Sequence, residues 1–226
     1  LSKFTKVGFT KNDQRSSCAS ERLPLPFSRL MKRSIEAVIF DMDGLIIDSE
    51  PLWRKAEIEA FKEIGFHFTE QMCVETMGMR IDEVVNFWWK KFKWKTPKES
   101  VVVNNIQSKM IDLIQKEGVL LPGVIEALKL LKEHGIPVAL ASSSAMVLIK
   151  TVVNSLEIKD YFDVIHSAEK EQAGKPNPAV FLTAAKMLEI DPEKCMVLED
   201  SKAGMEAGLN ANMKTILIPE KGKFEK

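Results

Sequence analysis

From Ile35 onward, short apolar runs alternate with stretches of helical period, and this alternation restricts the chain to a parallel sheet flanked by helices. The runs are IEAVIF (35–40), IPVALA (136–141), FDVIHS (162–167), CMVLE (195–199) and KTILIP (214–219), each followed by polar or glycine-rich residues. The intervals predict helices at 123–133, 145–156, 178–188 and 201–209. The expected fold class is α/β, a Rossmann-like doubly wound parallel sheet.

One interval is too long for a single crossover. About seventy residues lie between the first run and GVLLPG (118–123), and they read almost wholly helical. Within them RIDEVVNFWWKKF sets Ile81, Val84, Val85, Trp88 and Phe92 at helical spacing. A helical cap over 49–118 is therefore expected, inserted into a core formed by 31–48 and 119–226. Ser49 and Pro51 suit the cap and first turn of its first helix, and GVLLPG suits the return linker. Trp88 and Trp89 invite reading as an aromatic platform, but an apolar helical stripe belongs to a core, so Trp88 is given no functional role.

Composition narrows the partners. Lysine plus arginine equals aspartate plus glutamate, 32 of each, so no global field steers the chain toward nucleic acid or an acidic membrane. A small molecule is the expected partner, and a monomer the expected state. Cys18, Cys73 and Cys195 match neither a zinc spacing nor a disulfide framework, which favours a reducing, cytoplasmic setting. No apolar run approaches the roughly 20 residues needed to span a bilayer. The stretch 1–30 carries six basic and two acidic side chains without periodicity and is expected to be a poorly ordered leader. Met31 directly precedes KRSIEAVIF, so a natural start there, with read-through upstream, is preferred to an organelle transit peptide.

Ligands of an open parallel sheet collect beyond the carboxyl ends of its strands. There the first run presents Asp41-Met42-Asp43-Gly44, the second Ser142-Ser143-Ser144, the third leads to GKPNP with Lys175, and the fourth ends in Glu199-Asp200-Ser201. Carboxylates this close raise one another's pKa unless a cation neutralises them, and oxygen donors without imidazole or thiolate favour magnesium over zinc. His67, His134 and His166 fall outside these motifs. Hydroxyls and backbone N–H groups at Ser142 and Ser143, ahead of a helix, suit an anion, and Lys175 adds positive charge. Aspartate can accept a phosphoryl group in line, and a second carboxylate two residues on lies on the same side of an extended chain, near enough to protonate the leaving oxygen. Each element alone is as readily a turn, a cap or a loop; together they describe a magnesium and phosphate site.

These residues resemble the haloacid dehalogenase-like hydrolases, in the beta-phosphoglucomutase-like branch with a small helical cap. DxDGxxxDS, the strand-end serine of VALASSS, the lysine of GKPNP and VLEDSKAG match that branch in order and spacing from about Ile35 to Pro219. FDMDGLIIDSEPLW with MGMRIDEVV is similar to its hexitol and 2-deoxyglucose-6-phosphate phosphatases. The resemblance implies Asp41 as nucleophile and Asp43 as general acid/base, with the Asp43 backbone carbonyl on magnesium. It implies Ser142 and the Ser143 backbone on phosphoryl oxygens, Lys175 on nucleophile and phosphate, and Asp200 on magnesium with Glu199 contributing directly or through water. Arg80 of MGMR corresponds to a segment that meets the substrate, and Asp48 to a hinge or supporting position. Mutases of this branch carry a histidine where this chain has Trp53, and relatives run on past the last strand where this chain ends at Lys226. The expected function is a magnesium-dependent phosphatase of small sugar or sugar-alcohol phosphates working through an aspartyl phosphate. A phosphomutase and a catalytically silent magnesium-binding regulatory protein are the alternatives.

Overall fold

The computed structural model describes residues 35–218; the expectations for the leader, for a start at Met31 and for the stretch after 218 lie outside them. The described residues belong to one compact unit. Five strands form it: β1 (Ala37–Phe40), β2 (Val138–Ser142), β3 (Val164–Ser167), β4 (Cys195–Glu199) and β5 (Lys214–Leu217). Every pairing is parallel and the order is β3-β2-β1-β4-β5. This is the doubly wound sheet expected from the alternation, with strand starts trimmed by about two residues at β1, β2 and β3.

β1 explains why its sequence is apolar without interruption. It is the central strand and both its faces are covered, so all four residues are buried. The two-residue period then sorts them. Val38 and Phe40 join an apolar cluster on one face, and Ala37 and Ile39 join the other. Register carries this order to the carboxyl edge: Phe40 pairs with Leu198 and with Leu140, so Asp41 and Glu199 emerge side by side, with Ser142 one residue further along β2.

Between β1 and β2 the chain forms four helices, α1 (Glu50–Glu63), α2 (Glu70–Glu75), α3 (Ile81–Phe92) and α4 (Glu99–Glu117). α4 packs against α1 and α3. Trp88 is buried among Phe68, Phe87 and Phe92, and its indole N–H reaches Thr76 Oγ1 at 3.4 Å. It is a core residue. Phe61 stacks on Phe68 with ring centroids 4.1 Å apart, a contact that contributes about 1 kcal/mol beyond burial. The remaining helices, α5 (Val124–Glu133), α6 (Met146–Ser155), α7 (Ala179–Met187) and α8 (Lys202–Asn210), fall within a residue of the expected positions.

The two links joining α1–α4 to the sheet run side by side. Leu121 N–H donates to Ile46 O at 2.9 Å and Asp48 N–H to Val119 O at 3.2 Å. Asp48 sits where these links meet.

Candidate active site

Asp41 follows directly on β1, and its N–H still pairs with Leu198 O of β4 at 3.0 Å. Its carboxylate is buried and its Oδ1 accepts from Lys175 Nζ at 2.6 Å. Lys175 also donates to Glu199 Oε1 at 2.5 Å, so one buried ammonium bridges the ends of β1 and β4. The second oxygen of Glu199 accepts from Ser201 N–H at 2.8 Å and Ser201 Oγ at 2.9 Å. Ser201 in turn caps α8, its Oγ accepting from Gly204 N–H. The strand end, the capped helix and the lysine form one connected polar network.

Electrostatics here are unbalanced. Burial pushes the Asp41 carboxyl well above the usual range; Lys175 opposes the rise, while Glu199, Asp200 and Asp43 add to it. Burial alone would also raise Glu199, but Lys175 and Ser201 hold it below the ordinary value. For Lys175, burial works against the charge and is overcome by Asp41 and Glu199, which keep it protonated. Burial is the main reason Asp41 rises, and the neighbouring carboxyls add to it, while Lys175 keeps its charge because Asp41 and Glu199 both face it. A hard divalent cation would offset these carboxyls. Asp41, Glu199 and Asp200 each offer a carboxylate oxygen, all within 4.8 Å of one another, and the all-oxygen set suits such an ion. Both Glu199 oxygens already accept hydrogen bonds, so its contribution to the ion would run through water.

Gly44 makes the close approach of these groups feasible. Its φ of +73° lies in the left-handed region, and a Cβ there would overlap the Asp200 carboxylate. The glycine of DxDG is thus required by conformation and by space.

Asp43 is not one of the three acids that could together hold an ion. Its Oδ1 accepts from Ser49 Oγ at 2.7 Å and Trp53 Nε1 at 2.9 Å, and its Oδ2 from Ser144 Oγ at 2.7 Å and Ser142 Oγ at 3.3 Å. Donors from both β2 and α1 therefore fix it. Ser49 occupies the position preceding α1 as expected, but its hydroxyl serves Asp43 and makes no helix cap. Ser143 Oγ is buried and has no hydrogen-bond partner. The first N–H of α6, at Met146, is taken by Glu169 Oε2 at 2.9 Å, which confines the expected anion site to the Ser142–Ser143 turn.

One cavity contains this array. Asp41, Asp43, Ser142, Ser143, Lys175, Glu199 and Asp200 line it, seven of the eight residues singled out in the sequence. Arg80, the eighth, does not. Its guanidinium donates to the carbonyls of Ala168 at 3.1 Å and Glu171 at 2.8 Å and pairs with Asp82 at 2.8 Å, joining α3 to the loop after β3. Beside it, Glu83 Oε1 accepts from Gly174 N–H at 3.2 Å. None of the three histidines lines the cavity; His166 pairs with Glu171.

Sequence reasoning passed over Ser49, Trp53 and Ser144 as supports of Asp43, and Arg54 and Glu57 as cavity residues. A signal existed: Glu50, Trp53, Arg54 and Glu57 recur at i, i+3, i+4 and i+7, a polar stripe along one face of α1.

Among the described residues no helix is long and apolar enough to cross a membrane. A profile of the haloacid dehalogenase-like hydrolase family matches residues 38–218. Hexitol phosphatase B of Escherichia coli is 42% identical over 188 residues, covering 83% of this chain and 85% of that protein. A phosphorylated carbohydrates phosphatase of Thermotoga maritima is 33% identical over 184 residues, covering 80% of this chain and 84% of that one. Among solved structures, a beta-phosphoglucomutase from Clostridium difficile superposes with a TM-score of 0.73 at 29% identity, over 82% of this chain and 85% of its own. The resemblance read from the motifs is borne out: this chain belongs to the haloacid dehalogenase-like hydrolase family.

Proposed function

We propose that this chain is a magnesium-dependent phosphatase of small phosphorylated carbohydrates, acting through an aspartyl phosphate on Asp41 beneath a cap formed by α1–α4. One observation carries the reading: a buried carboxylate at the end of the central strand, held by a buried lysine and set among acids that need a cation. The similarity to hexitol phosphatase B and to the phosphorylated carbohydrates phosphatase supports the substrate class.

Ser142, Ser143 and Lys175 bind the phosphoryl oxygens. Asp41 attacks phosphorus, the bond to the ester oxygen breaks, and Asp43 gives that oxygen its proton. Asp43 then takes a proton from water as the water oxygen attacks phosphorus, the Asp41–phosphorus bond breaks, and inorganic phosphate leaves. Asp41, Asp200 and the Asp43 carbonyl, with help from Glu199, would hold magnesium, which would supply the charge neutralisation a carboxylate needs to approach a phosphate ester. Ser49 and Trp53 tie Asp43 to α1, so the position of the cap sets the position of the acid/base. Trp53 also favours water as the final acceptor, because an indole offers no basic nitrogen where the resemblance implies a histidine in the mutases.

Phosphate release from a panel of sugar and sugar-alcohol phosphates, with and without magnesium, tests the proposal. The wild type is expected to release phosphate only with magnesium, and D41N to release none while keeping the wild-type circular dichroism spectrum. Substantial turnover by D41N would overturn the nucleophile. Faster transfer to a second sugar phosphate than to water would make the protein a mutase, and no release from any ester would leave a regulatory role.

A further inference from the structure

The cap side of the cavity is an apolar wall of Val74, Met77, Met79, Ile81 and Val84 with one buried acid in it. That acid is Glu57, 6% exposed, whose Oε2 has no hydrogen-bond partner. Its position in α1 belongs to the buried face with Leu52, Ala56, Ala60 and Phe61, where an apolar side chain is the ordinary choice. It is also the far end of the polar stripe that begins at Glu50 and passes Trp53, which holds Asp43. A buried carboxylate oxygen without a donor is unfavourable for the fold unless a ligand supplies one.

We propose that Glu57 is the residue that reads the carbon chain of the substrate: its Oε2 accepts a hydrogen bond from a hydroxyl remote from the phosphate, selecting polyhydroxylated phosphate esters over apolar ones. The inference rests on the phosphatase reading above and names what distinguishes its substrates. A neutral hydroxyl suits this site better than an ammonium. Arg54 lies one position round the same face, and burial pushes the Glu57 carboxyl up to about 7, opposed by a hydrogen bond from the Cys73 thiol. A hydroxyl donates to the ionised carboxyl and accepts from the protonated one.

The test compares kcat/KM for hexitol 6-phosphate and for phenyl phosphate, which has no hydroxyl, in the wild type, E57L and E57Q. Losing a hydrogen bond to a charged group should lower the hexitol-to-phenyl ratio of E57L by about 10- to 100-fold. E57Q keeps the shape and one acceptor and should recover part of that ratio. Equal losses on both esters, an unchanged ratio in E57L, or no recovery in E57Q would each overturn the assignment. Calorimetric binding of hexitol 6-phosphate to D41N, with and without E57L, asks the same question without turnover. A wild type that cleaves neither ester would therefore refute the phosphatase reading alone, while the role of Glu57 is decided by whether E57L weakens this binding.

Discussion

Replacing Glu57 by glutamine should stabilise the protein at alkaline pH, and the size of the effect follows from burial. Desolvation raises the carboxyl from 4.5 to about 7, even against the Cys73 hydrogen bond. At about 1.4 kcal/mol per pH unit, this difference disfavours the folded ionised form by roughly 3 kcal/mol. The unfolded chain releases this proton near pH 4.5, whereas the folded chain keeps it to about pH 7. Between those values the folded state binds more protons, so stability falls as pH rises and is level again above the window. Glutamine carries no proton to lose but still leaves a polar group short of partners, at a cost of about 1 kcal/mol. E57Q is thus expected to be slightly less stable than the wild type at pH 4.5 and about 2 kcal/mol more stable at pH 8. Glu57 is itself one reason the Cys73 thiol is pushed up, but pH 8 lies below even the ordinary thiol value, so Cys73 on α2 stays protonated in both proteins and contributes little to the difference. Urea unfolding at the two pH values measures it. A difference that does not change with pH would refute the claim that Glu57 is held in an unfavourable site, and with it the argument that a ligand completes that site.

Two further substitutions probe the frame around Asp41. G44A should cost about 1–2 kcal/mol of stability from the positive φ alone, and displacement of Asp200 by the new Cβ should raise the magnesium concentration for half-maximal activity about tenfold or more. An unchanged magnesium requirement would show that Asp200 does not depend on the glycine. W53F removes one donor from Asp43 while keeping an aromatic side chain, and the loss of a charged hydrogen bond should lower kcat by about tenfold or more. A kcat equal to that of the wild type would mean that Ser49, Ser142 and Ser144 hold the carboxyl without help.

Most of the sheet side of the site was legible before the fold was known. Asp41, Ser142 and Glu199 each end an apolar run, and a parallel sheet has one carboxyl edge, so the topology alone brings them together. DxDG carries its own geometry: an extended step separates two carboxylates, and a glycine lets the chain turn beneath Asp200. Lys175 was assigned by the complementary charge such a cluster requires, and its bridge between Asp41 and Glu199 agrees with that reasoning.

The helical side was not legible in the same way. Arg80 stands in a motif that implied substrate contact, yet its guanidinium turns to the carbonyls of Ala168 and Glu171, which lie far off in the chain. Ser49 looked like a helix cap and instead serves Asp43. The stripe of Glu50, Trp53, Arg54 and Glu57 has the same period whether it faces water or a cavity. Local pattern determines that a helix forms and which residues share a face, because both follow from backbone geometry over a few residues. It does not determine what that face meets. That depends on how α1 is set against the carboxyl edge of the sheet, through the paired links at 46–48 and 119–121 and through the packing of α1 on α4, contacts between residues distant in sequence that only the folded chain brings together.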